Sequence, residues 1–115
     1  MKTLALGVLA FLFVASVATA APEGKSYSGE IMDSQCAQMG SHDAMMKSMS
    51  AANAKDCTEQ CVKMGGKYVL FDAAHKTTYQ LDDQKKPAKF AGQKVTVTGS
   101  LNGKILHVEK IAPAS

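Results

Sequence analysis

Arginine and tryptophan do not occur in this chain of 115 residues, which also holds only three prolines and three cysteines. Every basic residue is a lysine, and the lysines are interspersed among ten acidic residues. A nucleic-acid-binding face draws on clustered basic residues, often arginine for bidentate contacts, so no nucleic-acid partner is expected. The missing tryptophan removes one common platform for stacked sugars or bases. No Ser/His/Asp arrangement, phosphate-cradling glycine loop or dinucleotide fingerprint is found. Asp82 and Asp83 are adjacent carboxylates that face opposite ways or cap a turn, which makes them a poor acid/base pair. An enzyme is therefore not expected. Three cysteines cannot all pair within one chain, so at most one intramolecular disulfide forms and one thiol is left over.

The first twenty residues, MKTLALGVLAFLFVASVATA, set the expected compartment. One lysine precedes an apolar run from Leu4 to Val17, and Ala18-Thr19-Ala20 supplies a small-x-small cleavage pattern. This is the layout of a secretory signal peptide, with an apolar run too short for a stable membrane anchor. Cleavage after Ala20 is expected to leave residues 21–115 as one domain, periplasmic or secreted. A domain of that size builds only a thin core, which a metal ion or a disulfide would reinforce.

Alternation and turn chemistry predict a mainly β fold. Ser26 to Asp33 is a first strand, and Gly66 to Asp72 (GKYVLFD) a second, rich in aromatic and β-branched residues. Ala73 to Lys76 turns the chain into a third, Thr77 to Leu81 (TTYQL). Gln93 to Leu101 puts Val95, Val97 and Gly99 on one face, and the Asn102-Gly103 hairpin signal leads into Lys104 to Ile111. Lys85 to Ala91 predicts a short helix with Phe90 on the core, and about 36–65 predicts a helical insert after the first strand. Five strands with a short helix between the third and fourth is the chain order of a small OB-like barrel. An open antiparallel sheet with a helical cover is the alternative.

The cysteines lie in the insert, spaced Cys36-x5-His42-x14-Cys57-x3-Cys61. Four residues apart on a helix, Cys57 and Cys61 project from one face, one turn apart. That suits two ligands of one ion better than a mutual disulfide, whose sulfurs must meet at bonding distance. With Asp56 as the cap and Glu59 three residues on, Cys57 becomes the first helical residue, where the dipole favours its thiolate. Cys36, His42, Cys57 and Cys61 together form a Cys3His set, a recognised composition for closed tetrahedral zinc. In an oxidising compartment Cys36 pairs instead with Cys57 or Cys61 as a staple, and His42 is then a surface residue. A third reading is a thiol redox protein with Cys57 attacking and Cys61 or Cys36 resolving.

Six methionines (Met32, Met39, Met45, Met46, Met49 and Met64) follow the leader, all close to the thiols. Soft thioethers favour Cu(I), so Cu+ stands second to Zn2+. Their helical spacing, with Met45, Met49 and Ala52 in one stripe and Met64 following Cys57 and Cys61, also reads as core packing. His75 in a turn and His107 on the outer face of the last strand are expected to be exposed.

The stretches GEIMDSQCA, CTEQCVKMGGKYVLFD, TYQLDDQ and FAGQKVTVTGSLNGKILHVEKI, with His42 between the first two, resemble a family of small exported bacterial proteins of unknown function with an OB-like β-barrel. The Cys-x3-Cys-Val-Lys-x-Gly piece is the most specific of these. The resemblance implies the fold, export, and a single cluster of Cys36, His42, Cys57 and Cys61, and it implies no activity. The expected function is metal binding, with zinc or Cu(I) as the ion and no catalysis. The alternatives are a disulfide-stapled module that binds a small ligand or protein, and a thiol redox protein. A monomer is expected.

Overall fold

The computed structural model describes residues 24–114, and the expected leader at 1–20 lies outside them. Five strands and three helices follow in the order β1 (Lys25–Asp33), α1 (Ser34–Met39), α2 (Asp43–Met49), α3 (Ala54–Lys63), β2 (Tyr68–Asp72), β3 (Thr77–Leu81), β4 (Lys94–Asn102) and β5 (Ile105–Pro113). A 3-10 turn, Pro87–Phe90, stands between β3 and β4. Among the described residues no helix is long and apolar enough to cross a membrane.

The strands form one mixed sheet whose hydrogen bonds close into a ring, β1-β2-β3-β5-β4 and back to β1. Closure depends on β1 serving two neighbours. Its first half pairs with β4, from Lys25↔Gly99 to Glu30↔Lys94. Its second half pairs with β2, from Glu30↔Phe71 to Asp33↔Tyr68. Close to that hand-over stands Gly29, where a Cβ would lie 2.5 Å from the carbonyl oxygen of Phe71, so no larger residue fits without parting the strands. The remaining contact is β3 with β5, which run parallel through Gln80↔Ile105 and Leu81↔Leu106. The open antiparallel sheet is thereby corrected to a closed mixed one.

Two apolar clusters result, one on each face of the sheet. Ile31, Leu70, Leu81, Val95, Val97, Leu106 and Val108 bring all five strands together inside the ring. Met32, Cys36, Ala37, Cys57, Val69 and Phe71 form a second cluster, with Met45, Met46 and Ala51 packed against it. Period-two alternation explains the split: Ile31 and Leu70 point inward, while Met32, Val69 and Phe71 point out beneath the helices. A strand covered on both faces reads as a continuous apolar run, as Val69-Leu70-Phe71 does, all three buried. In β4 the alternation is clean, with Val95, Val97 and Gly99 buried between more open neighbours.

Several helical expectations need correction. The insert begins at Ser34, directly after β1, and is broken into three helices. The cap of α3 is Asn53, whose Oδ1 accepts from the Asp56 amide at 2.9 Å, and Asp56 lies inside the helix. Cys57 is therefore a full turn in, with its own amide bonded to the Asn53 carbonyl. The methionine stripe also divides. Ala52 lies beyond the end of α2, and Met64 is 67% exposed because it follows the last turn of α3.

Candidate metal centre

Asp33 places the first thiol. As the N-cap of α1 it uses one carboxylate oxygen, Oδ2, to accept from the amides of Gln35 (3.0 Å) and Cys36 (3.2 Å). This satisfies two amides that the first turn of a helix cannot pair internally. It also fixes Cys36 beneath the helix, where its side chain is fully buried. Gly40, with φ of 79°, ends α1 in the left-handed conformation, and Ser41 leads directly to His42. His42 is the N-cap position of α2 but makes no side-chain capping bond. Its ring turns inward instead, where Nε2 meets Glu30 Oε1 at 3.1 Å. The third element, α3, carries Cys57, Thr58 and Cys61 on its buried face. The Thr58 hydroxyl donates to the Ala54 carbonyl at 2.8 Å, so it makes no demand on the cluster.

All four residues singled out in the sequence are buried together, but not as one symmetrical set. Cys36, His42 and Cys57 form one group of donors, all within 4.8 Å of one another. Asp33, Cys36 and Cys61 form a second group on the same criterion, so the two share Cys36. Cys57 and Cys61 fall in different groups. The Cys36 and Cys57 sulfurs lie 3.7 Å apart, and none of the three cysteines is in a disulfide. Two sulfurs bound tetrahedrally to one zinc at the usual Zn–S length stand about 3.8 Å apart. Cys61 Sγ lies 3.6 Å from the Met49 thioether.

Two buried side-chain atoms among the described residues make no hydrogen bond, Asp33 Oδ1 and His42 Nδ1. Their residues belong one to each of the two donor groups. A buried polar atom left unsatisfied costs about 1–3 kcal/mol, so their coincidence with three thiols is informative. Both atoms have lone pairs suited to a cation.

Burial, and then the Asp33 carboxylate beside it, raises the Cys36 thiol far above the ordinary range. Burial and the charge of Asp33 likewise push Cys61 up to about 11. A thiol in such surroundings is a weak nucleophile, and a bound cation reverses the effect by holding the thiolate. A pocket of about 400 Å³ has Glu30, Met32, His42 and Phe71 in its wall and so touches the cluster at His42.

Asp33 and Glu30 did not stand out in the sequence as parts of a site, and Met49 did so only as one of six methionines near the thiols. Asp33 carried a signal, since an Asp immediately before a helix is a favoured capping residue. Glu30 carried none, because only the fold brings it to His42. The two other histidines are exposed as expected, His75 beside Asp72 at 2.7 Å and His107 beside Asp82. Asp83 caps a turn by accepting from the Lys85 and Lys86 amides.

Over residues 61–114 the chain matches the model of a family described as "Protein of unknown function (DUF5818)". The match takes in β2 to β5 and begins at Cys61, so Cys36, His42 and Cys57 stand outside it. No curated protein and no solved structure matches the chain. The similarity concerns the sheet, and the donor cluster rests on its own geometry.

Proposed function

We propose that this chain is a small exported OB-like domain that binds a soft metal ion beneath its helical insert and performs no catalysis. Zn2+ is the preferred ion and Cu+ the second, held by Cys36, Cys57 and His42 with Cys61 adjoining. The observation that carries the reading is His42, whose Nδ1 is buried and unpartnered and which has a ring nitrogen within 4.8 Å of two thiols at zinc-like separation. The donor set suits zinc, with sulfur and imidazole nitrogen as its usual ligands. Glu30 on the opposite ring nitrogen is the partner that commonly orients a ligating histidine and raises its basicity. The OB-like assignment is supported by the ring order and the parallel β3–β5 contact. Export is supported by the Lys2, Leu4–Val17 and Ala18–Ala20 pattern of the leader.

A disulfide-stapled domain is the second reading, favoured by the proximity of Cys36 and Cys57. It leaves His42 Nδ1 and Asp33 Oδ1 without partners and Cys61 without a role, which is why it ranks lower. The redox reading needs an accessible thiolate, and burial of all three cysteines opposes one.

Native mass spectrometry of the exported, tag-free protein, beside a denatured and alkylated sample, tests the choice. Metal binding predicts a mass heavier by zinc or copper and three alkylatable thiols. A metal-free mass two hydrogens light, with one alkylatable thiol, replaces it with the staple.

A further inference from the structure

The donors beneath the insert fall into two overlapping groups. Cys36, His42 and Cys57 have donor atoms within 4.8 Å of one another, and so do Cys36, Asp33 and Cys61. Cys36 alone belongs to both. Each group also contains one of the two residues that carry a buried polar atom without a hydrogen-bond partner, His42 with its Nδ1 in the first and Asp33 with its Oδ1 in the second. His42 is 8% exposed and Asp33 fully buried, so bulk water does not satisfy either.

From these observations we infer that the cluster holds two divalent soft cations, Zn2+ in the first instance, bridged by the Cys36 thiolate. This rests on the metal-binding reading and extends it to a second ion. A thiolate sulfur has lone pairs enough to bind two metals at once. The first ion takes Cys57 and His42 besides the bridge. The second takes Cys61 and the free oxygen of Asp33, whose other oxygen stays on the Gln35 and Cys36 amides. Met49, in contact with Cys61, offers the second ion a further soft donor.

Charge supports two ions over one. With Glu30 set aside as the partly exposed hydrogen-bond partner of His42, three thiolates and the Asp33 carboxylate carry four negative charges, which two divalent cations balance. One ion in the first group balances its two thiolates and leaves the buried Asp33 carboxylate without a cation. Buried charges are stable only when paired. Loading both positions releases three thiol protons to solvent.

The test is zinc titration of the full, reduced chain, read by native mass spectrometry, with cadmium NMR on the cadmium-loaded protein. The expected result is saturation at two ions and two cadmium resonances. Cys61→Ser and Asp33→Asn should each reduce this to one ion, and Asp33→Asn retains an oxygen to cap α1. Cys57→Ser should also leave one, and Cys36→Ser should lose the paired site altogether. Wild type saturating at one ion overturns the second position and leaves the single-ion function standing. No ion at all overturns both. Two ions retained by Cys61→Ser place the second elsewhere, such as the exposed His75 and Asp72 pair, and refute the bridge.

Discussion

Raising the pH from about 7 to about 8 should tighten the first zinc ion by close to a hundredfold, because each ligating cysteine surrenders a proton. The first group contains two cysteines, Cys36 and Cys57. The thiolate is the form that binds, so zinc displaces two protons and its apparent constant varies as the inverse square of the proton concentration. At about 1.36 kcal/mol per proton and pH unit, two protons amount to about 2.7 kcal/mol. Cys36 makes its share of the slope secure, since burial and Asp33 hold its thiol far above the ordinary value. The assay is competition against a chromophoric zinc chelator across the pH range, corrected for the chelator's own protonation. The metal-free protein should behave in the opposite sense. Cys61 is raised from 9.0 to about 11 in the fold, so its contribution to stability is complete below 9.0 and lost as pH rises through about 11. Zinc affinity independent of pH would mean that thiols are not the ligands, and the site would have to be abandoned.

Glu30→Ala removes the acceptor of His42 Nε2 and should weaken zinc by about 10–100-fold in the same competition assay; an unchanged affinity would show that Glu30 does not orient the ring. Gly99→Ala would bring a Cβ to 1.8 Å from the His107 carbonyl oxygen at the register shift between β4 and β5. Its thermal unfolding should reveal a loss of at least the ~1–3 kcal/mol typical of overpacking, and an unaltered Tm would refute that close approach. Carbon NMR should find Asp83 titrating near 2, held down by the Lys86 amide, then the Lys86 ammonium and the Lys85 amide. Its contribution to stability is present above the ordinary 3.8 and lost as pH falls through about 2. Lys86→Met should move that midpoint upward, and an unmoved midpoint would remove the ammonium from the explanation.

Much of the secondary structure was legible because its causes are local. Thr77 to Leu81 is β3 as expected, and Ala73 to Lys76 is the turn before it. Val95, Val97 and Gly99 alternate into the core as their spacing implies. The helical insert was harder to divide. Asp33-Ser34 opens α1, but for α3 both Asn53-Ala54 and Asp56-Cys57 are acceptable cap pairs, and nothing local ranks them. In the fold Asn53 is the cap, and α3 buries Cys57, Thr58 and Cys61.

By itself, the sequence determined that this is a mainly β chain with a cysteine-bearing helical insert, since period-two alternation and turn residues act over a few positions. It also brought Cys36, His42, Cys57 and Cys61 under suspicion together, as residues whose chemistry has few other uses in an insert. Closure of the sheet was decided only by tertiary structure, because the parallel contact of β3 with β5 joins segments about 25 residues apart with no shared local pattern. The division of the donors was decided there too. Helical spacing placed Cys57 and Cys61 on one face, but which of them meets His42 and which meets Asp33 depends on how α3 lies across β1. That is a matter of packing between elements, and packing is where one ion's ligands and two ions' ligands part.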